Sequence, residues 1–159
     1  MELRAPRERV SPKARLMWMC TDLVRAVPVM AVLLLGQGPW DWWTLPGWLL
    51  WSVGVALLAF ALAIPQWRYA VHRWEVTDTA VYTQTGWWAR ERRIAPMSRV
   101  QTVDHREGAI SRLFGLATVR ITTASSEGAL TIEGLDQSRA MDLVESLTRM
   151  ADSVPGDAT

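Results

Sequence analysis

Two long apolar segments in the first half of the chain restrict its possible folds more than any other feature. Residues 16–36 carry Asp22 and Arg25 near their beginning, while residues 47–64 contain no charge at all. Each segment is close to the length that an α-helix needs to cross about 30 Å of hydrocarbon at about 1.5 Å per residue. The sequence therefore predicts a hairpin of two transmembrane helices.

Basic residues flank this hairpin at both ends, which argues against two helices buried in a soluble protein. Arg68 and Arg73 follow the second segment, and the connection over residues 37–46 has one acid and no base. The basic residues before the first segment are Arg4, Arg7, Arg9, Lys13 and Arg15. Because positive charge favours the cytoplasmic side, we expect both termini in the cytoplasm. A cleaved signal peptide is the other alternative, but no small-x-small cleavage site follows residue 36.

Tryptophan is frequent, with 10 in 159 residues, and many lie where a membrane interface is expected. One group falls in the connection, while Trp67 and Trp74 follow the other end of the second segment, where His72 also resembles an interfacial anchor. Aromatic side chains are enriched at both interfaces of membrane proteins. The interface anchors predicted on this basis are Trp40, Trp42, Trp43, Trp67, Arg68 and Arg73.

Asp22 and Arg25 are three residues apart and therefore share one helix face. They form either an ion pair at the start of the span, reaching toward the headgroups, or a functional contact within the membrane. We favour the ion pair because both residues lie in the first third of the segment. Small residues in the second span, Ala56, Ala59 and Ala63 among them, offer a face for another helix.

From residue 74 the chain changes to short stretches rich in β-branched and aromatic residues, separated by turn signals. These stretches predict strands over residues 74–77, 80–85, 87–95, 99–105, 117–124 and 129–135. We expect turns at Asp78, whose carboxylate can bond its own backbone, and at Gly86, which tolerates positive φ. Six such strands predict a small antiparallel sheet or a partly closed barrel.

The last element has helical rather than strand periodicity. From Asp136, a candidate N-cap, apolar residues recur at the spacing of one buried helical face. The residues on this face are Ala140, Leu143, Val144, Leu147 and Met150 or Ala151. Strands closed by one C-terminal amphipathic helix form an α+β unit, and the polar residues 152–159 are expected to be a flexible tail.

A family resemblance becomes visible in the stretch IAPMSRVQTVDHREGAISRLFGLATVRITT, residues 94–123. Pro96, residues 99–101 and residues 112–119 resemble the signature of the bacterial pleckstrin-homology-like (PH-like) domain of the YdbS type. The resemblance covers residues 74–151 and implies a partly open PH-like β-barrel of about seven strands with a C-terminal helix. It also implies a bacterial cytoplasmic membrane location and a second membrane protein as partner, for instance a relative with several PH-like domains.

The expected division of the chain follows from these segments. Residues 1–15 form a basic cytoplasmic N-terminus, residues 16–66 the transmembrane hairpin, residues 67–151 the PH-like domain and residues 152–159 the tail.

The sequence DHRE at residues 104–107 has the residue types of an active site. Val100 and Val103 are three apart, so the strand either has a bulge or ends near Asp104, which places these charges at a strand end. Neighbours along a strand point to opposite faces, so Asp104 cannot orient His105. We predict no catalysis, metal, cofactor or small-molecule substrate. A net charge of +1 also argues against nucleic acid as a partner.

Two groups of residues are candidates for contact with lipid or with a partner. Leu113, Phe114 and Leu116 form either a core turn, which we favour, or a wedge inserted in the membrane. Arg90, Arg92 and Arg99 are either solvated strand residues or contacts to anionic headgroups. We expect a membrane-anchored module that binds another protein, with sensing of anionic lipid as the alternative.

Overall fold

The structure is a computed structural model that describes residues 5–38, 40, 42–86, 89–124 and 128–153. The predicted strand residues Trp87 and Trp88, and residues 154–159 of the predicted tail, lie outside the described residues. Residues 152 and 153 of that tail belong to the last helix.

Two long helices form the predicted hairpin. Helix α1 covers Ala14–Gln37 and helix α2 covers Gly47–Val71, and the two pack against each other. Both are long and apolar enough to cross a membrane, and only 6% of the most apolar stretch of each is buried within the protein. A core helix of a soluble protein would be mostly buried, so this exposed apolar surface supports a hairpin surrounded by lipid.

The first sheet has four antiparallel strands whose order in the sheet follows the chain. They are β1 (Glu8–Arg9), β2 (Arg73–Val76), β3 (Ala80–Thr85) and β4 (Glu91–Pro96). Strands β2, β3 and β4 lie within or close to the predicted ranges. Strand β1 was not predicted: it comes from the N-terminal segment and pairs with β2 across the whole hairpin.

The second sheet has three antiparallel strands: β5 (Val100–Arg106), β6 (Leu116–Thr123) and β7 (Leu130–Asp136). The short helix α3 (Ala109–Leu113) joins β5 to β6, and helix α4 (Gln137–Ser153) follows β7. We refer to residues 73–153 as the β domain. Of the two alternatives drawn from the spacing of Val100 and Val103, the structure has the bulge, between Val100 and Thr102, and β5 continues to Arg106.

The core lies between the two sheets and α4. Its largest fully buried side chains include Leu116, Ile121, Ile132, Leu135 and Leu147. The predicted face of α4 is confirmed: Ala140, Leu143 and Leu147 are buried, and Val144 and Met150 pack against the core. Burial of apolar side chains and their close packing are the main source of stability in a domain of this kind.

The N-terminal segment is part of this core, which the sequence did not predict. Val10, Ala14, Met17 and Trp18 are buried in the same cluster as the strands. The amide of Ser11 donates to the Gly134 carbonyl at 2.8 Å, and the Ser11 hydroxyl donates to Asp136 at 3.0 Å. The start of α1 is therefore fixed to β7.

Both predicted turns are present, but one has a different chemical basis. Gly86 has φ +134°, as expected of a glycine turn. At the other turn the hydroxyl of Thr77, rather than the predicted carboxylate of Asp78, makes the bonds: it accepts from the Ala80 amide at 3.2 Å and lies 3.1 Å from the Ala80 carbonyl.

Candidate functional site at the hairpin junction

The ends of α1 and α2 meet the β domain at a cluster of interlocked side chains, which we call the junction. Trp18 of α1 is 3% exposed. The Arg68 guanidinium lies 4.4 Å from the centre of its ring, and the His72 ring lies 5.9 Å away. A cation over an indole face is worth about 0.5–1 kcal/mol at an exposed site and about 2 kcal/mol at a desolvated one, and the Arg68 side chain is 37% exposed. Trp18 therefore joins the two helices at the point where they leave the apolar region.

Arg68 also connects the hairpin to the second sheet. Its guanidinium donates to the carboxylate of Glu133 on β7 at 2.6 Å. Both side chains are about one third exposed, so the pair is a partly desolvated, charge-assisted hydrogen bond. Arg68, a predicted membrane-interface anchor, is thus held by the protein on two sides.

His72, which follows α2, is buried rather than interfacial, so its interpretation as an anchor was wrong. It is 5% exposed. Burial, and to a lesser extent the nearby charge of Arg68, lower its pKa to about 4. The imidazole is therefore neutral at physiological pH, and the junction gains no charge from it.

A short hydrogen-bonded chain ties the end of α2 to the first sheet. The side-chain amide of the buried Gln84 donates to the Val71 carbonyl at 3.1 Å, and its oxygen accepts from Arg92 Nε at 3.0 Å. The backbone of α2 thereby gains a partner where the helix ends. Arg92, a candidate headgroup contact, thus supports the junction through this bond.

A cavity of about 730 Å³ lies beside the junction, between the hairpin and the β domain. Asp22 and Arg25 of α1 both line it, and the Arg25 guanidinium lies 3.5 Å from the Asp22 carboxylate. The ion pair that we favoured from the sequence is present. This pair lies against a cavity rather than on a face that contacts lipid alone, so it can also contact a molecule in the cavity.

The DHRE residues form part of a different cluster. Asp104, His105 and Arg106 lie within β5, and His105 Nε2 is 3.8 Å from a carboxylate oxygen of Glu107. Glu107 also accepts from the Gln137 side chain at 2.5 Å, at the start of α4. These contacts fasten the end of β5 to α4. Within the described ranges, no group of three or more His, Cys, Asp or Glu side chains could hold a metal ion.

The hydrophobic turn after α3 divides into two parts. Leu116 is 1% exposed and Phe114 packs against the core, as the core interpretation predicts. Leu113 is 84% exposed, so for this residue the core interpretation was wrong. Helix α3, which ends at Leu113, also packs against α1.

The other predicted contact and anchor residues are spread over the surface. Arg90 and Arg99 are exposed, Arg90 just before β4 and Arg99 in the 3₁₀ turn after it. Arg93, in β4, pairs with Glu91 at 2.6 Å. The structure does not gather Arg90, Arg99 and Leu113 on one element.

Among the predicted anchors, Trp40, Trp42 and Trp67 are more than half exposed. Trp43 instead turns back on α1, where its ring covers Gly36 and its Nε1 lies 3.4 Å from the Leu33 carbonyl. Arg73 is part of β2. Trp74, also expected at the interface, is 6% exposed in the core beneath Arg139, so that expectation was wrong.

Sequence reasoning missed the two β-domain residues that hold α2 in place. Glu133 is the one acid in the apolar stretch of residues 129–135, which is the signal of a charge with a specific partner. Gln84 and the preceding Thr83 are both buried, so the strand shows no alternation at this point. No local pattern in the sequence identifies Val71 of α2 as the partner of Gln84.

Comparison with known proteins places this architecture in a family. The model of the bacterial PH domain family matches residues 22–151, which include most of the hairpin as well as the β domain. The chain is 31% identical over 153 residues to the UPF0699 transmembrane protein YdbS of Bacillus subtilis (strain 168), covering 92% of this chain and 93% of that protein. No solved structure gives a significant match. With its two apolar helices fixed to an α+β unit, this chain belongs to the bacterial PH domain family and is a YdbS-like membrane protein.

Proposed function

We propose that the protein is a non-enzymatic membrane module that binds another membrane protein. In this proposal the β domain and both termini lie in the cytoplasm, because the basic residues flank the hairpin at the end nearer the β domain. PH-like domains are not typical enzymes, and Glu107 of the DHRE sequence has a structural role, since it joins the end of β5 to Gln137 of α4. The partner is a transmembrane helix of a second protein.

The observation that carries this proposal is the face of α2 that is not covered by α1. A shallow groove of about 600 Å³ runs along it. Its residues are Ala56, Ala59, Phe60, Ala63, Ile64 and Trp67. Small residues allow a second helix to approach closely, and the aromatic side chains give the groove a shape that a partner can match. The alanine face that the sequence indicated is thus part of a formed groove.

Attachment to the membrane makes weak contacts effective. Two proteins confined to the same bilayer meet at an effective concentration far above that of freely diffusing molecules. The junction adds to this effect, since Arg68, Gln84 and Trp18 hold the β domain in a fixed position relative to the groove. A partner helix in the groove therefore meets a cytoplasmic part in a defined orientation.

The test is co-purification from membranes in a gentle detergent, with Ala59→Phe compared to Leu58→Phe. Phenylalanine at position 59 fills the groove, so we expect the partner to be lost. Leu58 is 50% exposed and does not line the groove, so its variant controls for a new aromatic side chain on the same helix. Equal recovery of the partner with both variants would contradict the proposal. If only a second copy of this chain is recovered, the groove binds another copy of the same protein and not a different partner.

A second candidate function is contact between the β domain and anionic headgroups, favoured by the exposed Leu113 on a helix that packs against α1. The neighbouring Arg112 side chain is 73% exposed and can face an anionic leaflet. A fluorophore at Leu113→Cys, in a Cys20→Ser background, tests this in reconstituted bilayers. A salt-sensitive blue shift that requires phosphatidylglycerol supports lipid contact, and emission equal to that in detergent excludes it.

A further inference from the structure

The cavity beside the junction has the size and the lining of a ligand site. Its volume of about 730 Å³ falls within the range of roughly 300–1,000 Å³ that is usual for small-molecule sites. Helices α1 and α2 form one wall, and β3, β4 and β7 contribute the other. The cavity shares Phe60 and Ile64 with the proposed groove on α2, but no partner protein is needed to form it.

The lining changes from charged to apolar along the hairpin. Glu91, Arg93 and Glu133 are contributed by the β domain. Asp22 lies about one turn and Arg25 about two turns beyond Trp18 on α1, and Val29 and Leu57 lie further from the junction. Val29 is 47% exposed although it lines the cavity, so this end opens toward the surrounding lipid. Such a gradient fits an amphiphile whose polar group lies at the β domain.

The charges of the lining restrict the polar group further. Among the described lining residues there are three arginines and three carboxylates, which sum to zero, and His72 is neutral. The arginines are Arg25, Arg68 and Arg93, and the carboxylates are Asp22, Glu91 and Glu133. The carboxylates are paired with these arginines, Glu133 and Glu91 at 2.6 Å and Asp22 at 3.5 Å. A purely anionic headgroup would bring negative charge beside these pairs with no cation to offset it. A headgroup with one cation and one anion matches both sets.

We propose that this cavity binds one zwitterionic glycerophospholipid with a primary ammonium, that is, of the phosphatidylethanolamine class. The ammonium lies beside Glu91 and Glu133. The phosphate, one step nearer the acyl chains, meets Arg25, whose 3.5 Å contact to Asp22 is longer than a strong charged hydrogen bond. An acyl chain follows Val29 and Leu57. This site differs from the second candidate function, which requires anionic lipid at the outer surface of the β domain.

The headgroup assignment is tested with the full-length protein, purified in detergent and freed of bound lipid. Dioleoyl phosphatidylethanolamine, phosphatidylglycerol and phosphatidylcholine are added separately, and bound lipid is counted by native mass spectrometry. Phosphatidylcholine cannot donate hydrogen bonds from its quaternary ammonium, and we expect it to bind about tenfold more weakly than phosphatidylethanolamine. Phosphatidylglycerol, which lacks a cation, should bind no better than phosphatidylcholine. Equal binding of all three lipids, or preference for phosphatidylglycerol, would overturn the proposal.

Two variants locate the site. Val29→Phe fills the apolar end and should reduce binding of phosphatidylethanolamine about tenfold, whereas Val27→Phe should leave it unchanged. Val27 is 65% exposed, does not line the cavity and lies two residues away on the same helix. If both variants bind this lipid as the original protein does, the lipid is not in the cavity.

Glu91→Gln examines the ammonium contact without adding bulk. Its side chain is 55% exposed, so the fold should tolerate the change even if Val29→Phe does not fold. We expect the preference for phosphatidylethanolamine over phosphatidylglycerol to fall severalfold, because the amide carries no charge. An unchanged preference would remove Glu91 from the site and, with it, the proposed headgroup orientation.

Discussion

The two ends of the hairpin are held in different ways. At the connecting end, Trp40 and Trp42 stack on each other and stay exposed, and the Gln37 side chain donates to the Leu45 carbonyl. At the junction, Trp18 and His72 are buried and make contacts to particular side chains. At the connecting end, other apolar or aromatic residues could replace these exposed tryptophans. The junction needs specific residues, and single substitutions should therefore have much larger effects there.

The largest effect is expected for Trp18→Ala. Removing a buried indole leaves a cavity between α1, Arg68 and His72, and truncations of this kind cost about 3–5 kcal/mol in the free energy of unfolding. Trp51→Ala is the matched control, since Trp51 is 78% exposed on α2 and should change stability by less than about 1 kcal/mol. Thermal unfolding of the full-length protein in detergent measures both. Similar losses for the two variants would contradict the comparison between the two ends.

A somewhat smaller effect is expected from pH, through His72. Its folded pKa of about 4 lies below the ordinary 6.5, so between these values the unfolded chain takes up a proton that the folded protein does not. Stability should be full above pH 6.5, fall by up to about 3 kcal/mol as the pH approaches 4, and then level off.

The measurement is the pH dependence of thermal unfolding, compared between the original protein and His72→Gln. The variant should lose this part of the dependence, while His105→Ala should keep it. Parallel pH profiles for the original protein and His72→Gln would show that His72 takes up its proton equally in the folded and unfolded states.

The smallest of the three effects is the difference between two glycine substitutions in the β domain, about 1–3 kcal/mol in the free energy of unfolding. Gly134 has φ +75°, and an added Cβ would lie 2.6 Å from the Cβ of Ala14. Gly134→Ala should therefore combine backbone strain with overpacking, each costing about 1–3 kcal/mol. Gly128 also has positive φ, +82°, but an added Cβ there meets nothing within 4 Å. Gly128→Ala therefore introduces backbone strain without overpacking. The difference between the melting temperatures of the two variants measures the contact between β7 and α1. Equal melting temperatures would mean that this contact is loosely packed.

Much of the fold could be predicted because the sequence signals for it are local. The two spans, the six later strands and the buried face of α4 each follow from hydrophobic periodicity within one segment. The turn at Gly86 and the bulge in β5 follow from a single residue type or spacing. None of these requires knowledge of what packs against the segment.

The junction was harder to predict from the sequence because it depends on contacts between distant parts of the chain. Strand β1 has two residues and no periodicity, so only its pairing with β2 defines it. His72 and Trp74 have the composition of an interface, but the N-terminal segment and Arg139 cover them. Leu113 looked like core because it stands beside Phe114 and Leu116, and only the end of α3 turns it outward. The cavity is likewise shared by elements far apart in sequence.

The pairing of β1 with β2 has a consequence for how this protein is made. Glu8 lies opposite Trp74 and Arg9 opposite Arg73, so the entire hairpin is inserted between two adjacent strands. During synthesis β1 leaves the ribosome first and has no neighbour until β2 follows. In the proposed membrane hairpin, a single crossing would leave the two strands on opposite sides of the bilayer, so the sheet could not close. Completion of this sheet therefore excludes an insertion in which only one helix has crossed.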